Sequence, residues 1–208
     1  VAAIALLAAV LAVGRVQHRA SAAPDGRVVG EVTAAERAAT FTFAPGTAAA
    51  DRDAFLGAVA HAAPQARALI DEVDGLVDVA VAVTAGDAVG TTEQVGRRYR
   101  VEVNLGLVAR RYGQRGIDRT VLHELGHVVD FALVPQDLDD RLDAAVPRGY
   151  GCEQDRSGAC ASEQERFAES FAKWATGDIG VDLYLGYKVP PPSDLAAWGA
   201  PLAALVRR

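Results

Sequence analysis

The sequence contains no methionine, two cysteines, and aromatic residues at 6% of its length. Each shortage excludes something. Without methionine the chain cannot build the methionine turn that lies under the metal in metzincin peptidases. With so few aromatics, the core of this 208-residue chain must rest on small and β-branched side chains, since half its residues are hydrophobic and alanine and valine dominate them. No basic stripe with interleaved aromatics is present. Arginines occur only as scattered residues and short pairs (Arg97-Arg98, Arg110-Arg111, Arg207-Arg208), and the formal net charge is −6, which argues against nucleic acid as a partner. The one long apolar run, Val1 to Val13, is too short to span a bilayer as a helix. It is followed by Arg15, His18 and Arg19, and then by the small-x-small triplet Ala20-Ser21-Ala22. Residues 1–22 are therefore expected to be a truncated signal peptide or membrane anchor. Either one places the body outside the cytoplasm, secreted or held at the outer face of the membrane. Cys152 and Cys160, eight positions apart in a Gly/Ser/Asp-containing stretch, agree with export as a short-loop disulfide; two cysteines alone are too few for a metal site.

The chain that is present divides into a mixed first half and a helical second half. Residues 23–50 read as a linker or pro-like segment and 51–208 as the domain. Thr40 to Phe43 suits a short strand and Pro45-Gly46 a turn. Thr47 or Asp51 is placed to cap a helix ending near His61, and Pro64 to start another. Leu76 to Thr84 alternates valines with other residues, as a strand does. Ala85 to Gly96 reads as a loop. Arg98 to Leu105 alternates again, with Tyr99, Val101 and Val103 opposite Arg98, Arg100, Glu102 and Asn104. One apolar and one charged face predicts a half-exposed strand at a sheet edge, where an extended substrate can pair. Helices follow over Leu105 to Tyr112, from about Asp118 to Pro135, over Gln136 to Val146, from Ser162 to Trp174, and over Ser193 to Val206. The expected fold class is α+β, with a small mixed sheet that has an exposed edge strand in an N-terminal lobe, an active-site helix, and a helical C-terminal lobe.

His123-Glu124-Leu125-Gly126-His127 lies within the second of those helices and contains two of the chain's four histidines. A spacing of four puts both imidazoles on one helical face, where their ring nitrogens can grip one ion. Glu124 is rotated away from that face but can reach a water at an open coordination position, as a general base does. Gly126 leaves room beside the metal. A catalytic site needs a third ligand. Asp130, three residues past His127, fits better as a hydrogen-bond partner for a ligand histidine or nearby backbone. The downstream helix carries Glu165 and Glu169 four apart on one face. One of the two can bind the ion while the other orients a histidine; the alternative is a solvated acidic face paired with Arg166 or Lys173.

His123-Glu124-Leu125-Gly126-His127-Val128-Val129-Asp130, followed by Glu165-Arg166-Phe167-Ala168-Glu169, resembles the gluzincin metallopeptidases. The resemblance is closest to the anthrax lethal factor catalytic-domain-like family and covers about Tyr99 to Trp174. It implies a zincin-like fold and one zinc ion held by His123, His127 and Glu165, with Glu169 behind the ligands. It also implies that Tyr150, in the pair Tyr150-Gly151, stands near the substrate carbonyl as an oxyanion donor. The segment from Gly151 to Ala161 is longer than the family spacing and holds both cysteines. The implied activity is hydrolysis of peptide or protein substrates. Two other functions suit the same residues: a non-catalytic extracellular zinc-binding module, and a zinc amidase acting on cell-wall peptides.

Overall fold

Alternating valines build the centre of a small mixed sheet. The computed structural model describes residues 19–20, 31–81, 89–148, 161–180 and 189–207. The apolar run, the linker from Ala22 to Gly30, Tyr150, Cys152 and Cys160 lie outside the described residues. Strands β3 (Val77–Val81) and β5 (Arg98–Val103) run parallel, with Val79 opposite Val101. Val77, Val79, Tyr99, Val101 and Val103 are buried, as their alternation requires. Strand β4 (Gly90–Val95) returns antiparallel beside β5, and Gly96 at φ 63° makes the tight turn between them. The two-residue strands β1 (Arg19–Ala20) and β2 (Thr42–Phe43) complete the order β1-β4-β5-β3-β2. From Val32 onward the 23–50 stretch packs with the domain: Val32 is buried, and Phe41 and Phe43 meet Phe55 edge-on.

Two expectations are corrected here. β5 is an interior strand, hydrogen-bonded on both sides, so it has no edge to offer. Its charges mark an outward-facing sheet surface, where Arg98 pairs with Asp78 and Arg100 with Glu102. The stretch read as loop contains β4. Only its first half is buried, and Glu93 and Gln94 hid the strand pattern.

Helix α1 (Ala34–Arg37) opens with a capping box from Thr33 and Glu36. Helix α2 (Ala49–His61) starts from Ala48 without a side-chain cap; Thr47 instead donates to the Ala44 carbonyl at 2.7 Å. Helix α3 (Pro64–Asp71) has proline in its first turn. Helix α4 (Leu105–Leu133) is capped by Asn104 and broken by Gly113 at φ 63°. Asp118, expected as a cap, lies inside α4 and contacts His61 and Gln114. Helices α5 (Gln136–Ala144), α6 (Glu163–Thr176) and α7 (Leu195–Ala203) follow. No helix among the described residues is long and apolar enough to cross a membrane.

The second half of α4 is buried on every side, so it is the central helix of the domain. Val121, Leu122, Leu125, Val128 and Val129 fill the space around it. α6 lies against it through Ala168 and Phe171, and the Phe167 and Phe171 rings stack 6.3 Å apart. Gly126 is what allows the approach, because a Cβ there would stand 3.1 Å from Ala168 Cα and 3.2 Å from the Phe171 ring. The room that Gly126 provides is therefore taken by α6.

Candidate metal centre

His123 and His127 project from α4 toward α6, with ring centroids 4.9 Å apart and planes at 82°. Phe131, one turn further on, stacks on His127 and holds that ring from behind. Glu165 faces the imidazoles from the first turn of α6. The Ser162 hydroxyl accepts the Glu165 amide at 3.4 Å, so the cap that starts the helix also places this carboxylate. Glu165 Oε2 lies 3.1 Å from His123 Nε2, and Oε1 lies 3.7 Å from His127 Nε2.

The donor set fits a metal ion. One ligand atom from each of His123, His127 and Glu165 lies within 4.8 Å of the others, and all three residues are buried. Ligand atoms about 2 Å from a tetrahedral ion stand roughly 3.3 Å apart. The two nitrogen–oxygen separations, 3.1 and 3.7 Å, bracket that spacing. Three protein donors also leave a fourth tetrahedral position for a small molecule.

A second carboxylate stands behind the first histidine. Glu169 Oε2 lies 3.3 Å from His123 Nδ1, while Oε1 accepts from Arg119 and from Lys173 at 2.5 Å. Burial pushes the Glu169 acid up, but the adjacent Arg119 and Lys173 charges outweigh it and hold the carboxyl far below the usual range. Burial pushes His123 down, but its bonds to Glu165 and Glu169 outweigh that and raise it to about 10. An ion bound at Nε2 replaces a proton, so metal binding is coupled to proton release.

Glu124 leaves α4 toward the sheet and is buried. Thr92 Oγ1, on β4, lies 2.7 Å from Glu124 Oε2 and 3.1 Å from its carbonyl oxygen. Gly90 supports the same carboxylate from below: a Cβ there would stand 2.3 Å from Glu124 Oε1. Glu124 is also close enough to His123 to raise its proton affinity.

Five of the residues singled out in the sequence thus meet in one place: His123, Glu124, His127, Glu165 and Glu169. Asp130 is buried on α4, and Glu169 is a carboxylate behind the first imidazole. The acidic face of α6 is not solvated. Lys173 pairs with it inside the protein, and Arg166 turns away to Asp143 and the Val146 carbonyl. Sequence reasoning missed Arg119, Thr92 and Gly90, and gave Lys173 only as a partner on a solvated face. Helical spacing pointed to two of them, since Arg119 is four residues before His123 and Lys173 four after Glu169. Thr92 and Gly90 had no such signal, because their strand was not recognised. Comparison of the chain with protein-family models, with curated proteins and with solved structures found no match.

Proposed function

We propose that this chain is a zinc metalloendopeptidase with a zincin-like fold and a gluzincin-type site. The observation that carries the reading is the convergence of His123, His127 and Glu165 from two helices, with Glu124 buried next to the first ligand. A structural metal site needs no base at that position. Zinc, when bound, supplies Lewis acidity toward a substrate carbonyl and an attacking water.

The chain's own residues do the rest. Glu124 accepts the proton of the attacking water and returns it to the leaving amine. Thr92 fixes which way that carboxylate faces, and Gly90 lets it lie against β4. Glu169 accepts a hydrogen bond from the Nδ1–H of His123, which fixes that tautomer and leaves Nε2 as the metal-binding nitrogen. Tyr150 stabilises the oxyanion. The protein acts outside the cytoplasm, with Cys152 and Cys160 joined as a disulfide and a peptide or protein as substrate.

Metal analysis of the purified full chain, with and without a chelator, joined to digestion of a peptide library, tests the reading. Glu124→Gln is expected to keep about one equivalent of zinc and to lose about 10²- to 10⁴-fold in kcat/KM. Unchanged hydrolysis in that variant removes Glu124 from the mechanism. Zinc binding without hydrolysis in the unaltered chain favours the non-catalytic module. Cleavage of cell-wall peptides but not of proteins favours the amidase.

A further inference from the structure

Arg119 is the bulkiest fully buried side chain among the described residues, with 1% of its surface exposed. A buried guanidinium is expensive unless its fork is fully used. Here NH2 donates to Glu169 Oε1, and NH1 donates to the Asp178 carbonyl at 3.0 Å and the Gly180 carbonyl at 3.4 Å. Its Nε finds no acceptor among the described residues. Lys173 already places a positive charge on the same Glu169 oxygen from within α6. Charge balance of Glu169 therefore does not call for Arg119.

The geometry of the helix pair supplies another reason. Arg115, Arg119, His123 and His127 follow one another at intervals of four, so they form a single stripe along α4. Acids from α6 and its C-terminal turn oppose them in reverse order. Arg115 pairs with Asp178 at 2.5 Å, and Arg119 lies between Asp178 and Glu169. His123 lies between Glu169 and Glu165, and His127 is next to Glu165. Each of the three acids bridges two neighbouring members of the stripe. The three metal-binding groups are thus the inner end of a ladder whose outer end is cationic and reaches the surface at Arg115.

We propose that Arg119 is a positioning residue of the metal centre, aiming the His123 ring by holding Glu169 and tying that aim to the turn after α6. Lys173 cannot do this. It sits on the same helix as Glu169, so it fixes neither helix against the other. Arg119 sits one turn before His123, so Arg119, Glu169 and His123 close a loop from α4 to α6 and back. With Oε1 held by two cations, the carboxylate presents Oε2 to Nδ1 in one orientation only. The inference rests on His123 being a metal ligand.

The test compares the full chain with Arg119→Gln, Arg119→Lys, Lys173→Gln and the control Arg166→Gln. Arg166 is likewise buried, and its guanidinium bonds to Asp143 and three backbone carbonyls, none of them in the metal centre. Zinc affinity is read by competition with a chromophoric chelator. Ligand geometry is read from the visible absorption of the cobalt(II) form, after circular dichroism has shown a folded variant. Arg119→Gln is expected to weaken zinc binding about 10- to 100-fold and to shift the cobalt bands. Arg119→Lys, which keeps charge but loses the fork, should weaken it less while moving the bands in the same direction. Lys173→Gln should have a smaller effect than either. Arg166→Gln should lower the unfolding midpoint while leaving affinity within about twofold and the bands in place.

Arg119 variants with wild-type affinity and bands overturn the proposal, as does an Arg166→Gln that weakens zinc binding equally. If Arg119→Gln does not fold, Arg119→Lys against Lys173→Gln decides. A chain that binds no zinc, or a His123→Ala variant that binds as tightly as the unaltered chain, overturns instead the metal site on which this inference stands.

Discussion

Glu165 and Glu169 have the same side chain, lie one turn apart on the same helix, and are both buried, yet their neighbours differ in kind. Glu169 meets two fixed cations and one imidazole nitrogen. Glu165 meets two imidazole nitrogens. A buried carboxylate needs a compensating positive charge or it takes up a proton. At Glu169 the protein supplies that charge permanently, so the acid can serve only to orient what it touches. The two imidazoles that Glu165 meets are neutral unless protonated, and together with it they can hold an exchangeable cation. Along the α4 stripe, the candidate metal centre begins where arginine gives way to histidine.

Removing each acid in turn is the strongest way to break this contrast. Glu165→Gln is expected to lower zinc affinity on the order of a thousandfold, since one of three protein donors is lost. It should disturb the metal-free fold little. Glu169→Gln should do the reverse. Zinc affinity falls by about 10- to 100-fold, while Arg119 and Lys173 are left buried beside a neutral amide. Breaking a buried pair in this way costs about 3–5 kcal/mol. Chelator competition and urea unfolding of the metal-free protein measure the two quantities separately. Equal losses in both assays for both variants would falsify the division of roles.

The base sharpens the comparison from the other side of α4. Glu124 is held by a strand hydroxyl and a glycine surface. Gly90→Ala would put a methyl carbon 2.3 Å from Glu124 Oε1, so the carboxylate must move. We expect kcat to fall about tenfold or more, with zinc content unchanged. Thr92→Val keeps the shape and removes the hydroxyl. It should lower stability by about 1 kcal/mol and kcat by a smaller factor than Gly90→Ala. Peptide hydrolysis at saturating substrate, alongside metal analysis, separates these effects from loss of the ion.

How much of this was legible in the sequence depends on whether the signal was local. The ends of α6 were readable because Ser162 caps it and Gly177 leaves it at φ 68°. Gly113 was readable as a break because the backbone there is left-handed. The histidine pair was readable because a spacing of four has one meaning on a helix. What escaped depends on partners far away in the chain. β4 is half polar, and only its pairing with β5 and its contact with Glu124 make it a strand. Arg119 looked like one more surface arginine, because its acceptors lie 50 or more residues downstream. β5 carried the right alternation but gave no sign of which strand would cover its second side.

A fourth carboxylate, away from both helices, shows what burial does in this fold without a bonded cation among the described residues. Asp74 is half-buried at the turn before β3, next to Asp71. Burial pushes its carboxyl up from 3.8 to about 6, and the Gly75 amide offsets that only in part. The folded protein therefore holds this proton more tightly than the unfolded chain does. Its stabilising contribution is complete below about pH 4 and is lost as pH rises through about 6. Asp74→Asn removes the group that must ionise. We expect the variant to be more stable than the wild type at pH 7, by about 1 kcal/mol or less after solvent screening. At pH 4 and below that advantage should vanish. Urea unfolding midpoints at pH 4 and pH 7 give both values. A pH-independent difference would mean that the asparagine acts by packing, and that burial without a cation does not set this group's behaviour.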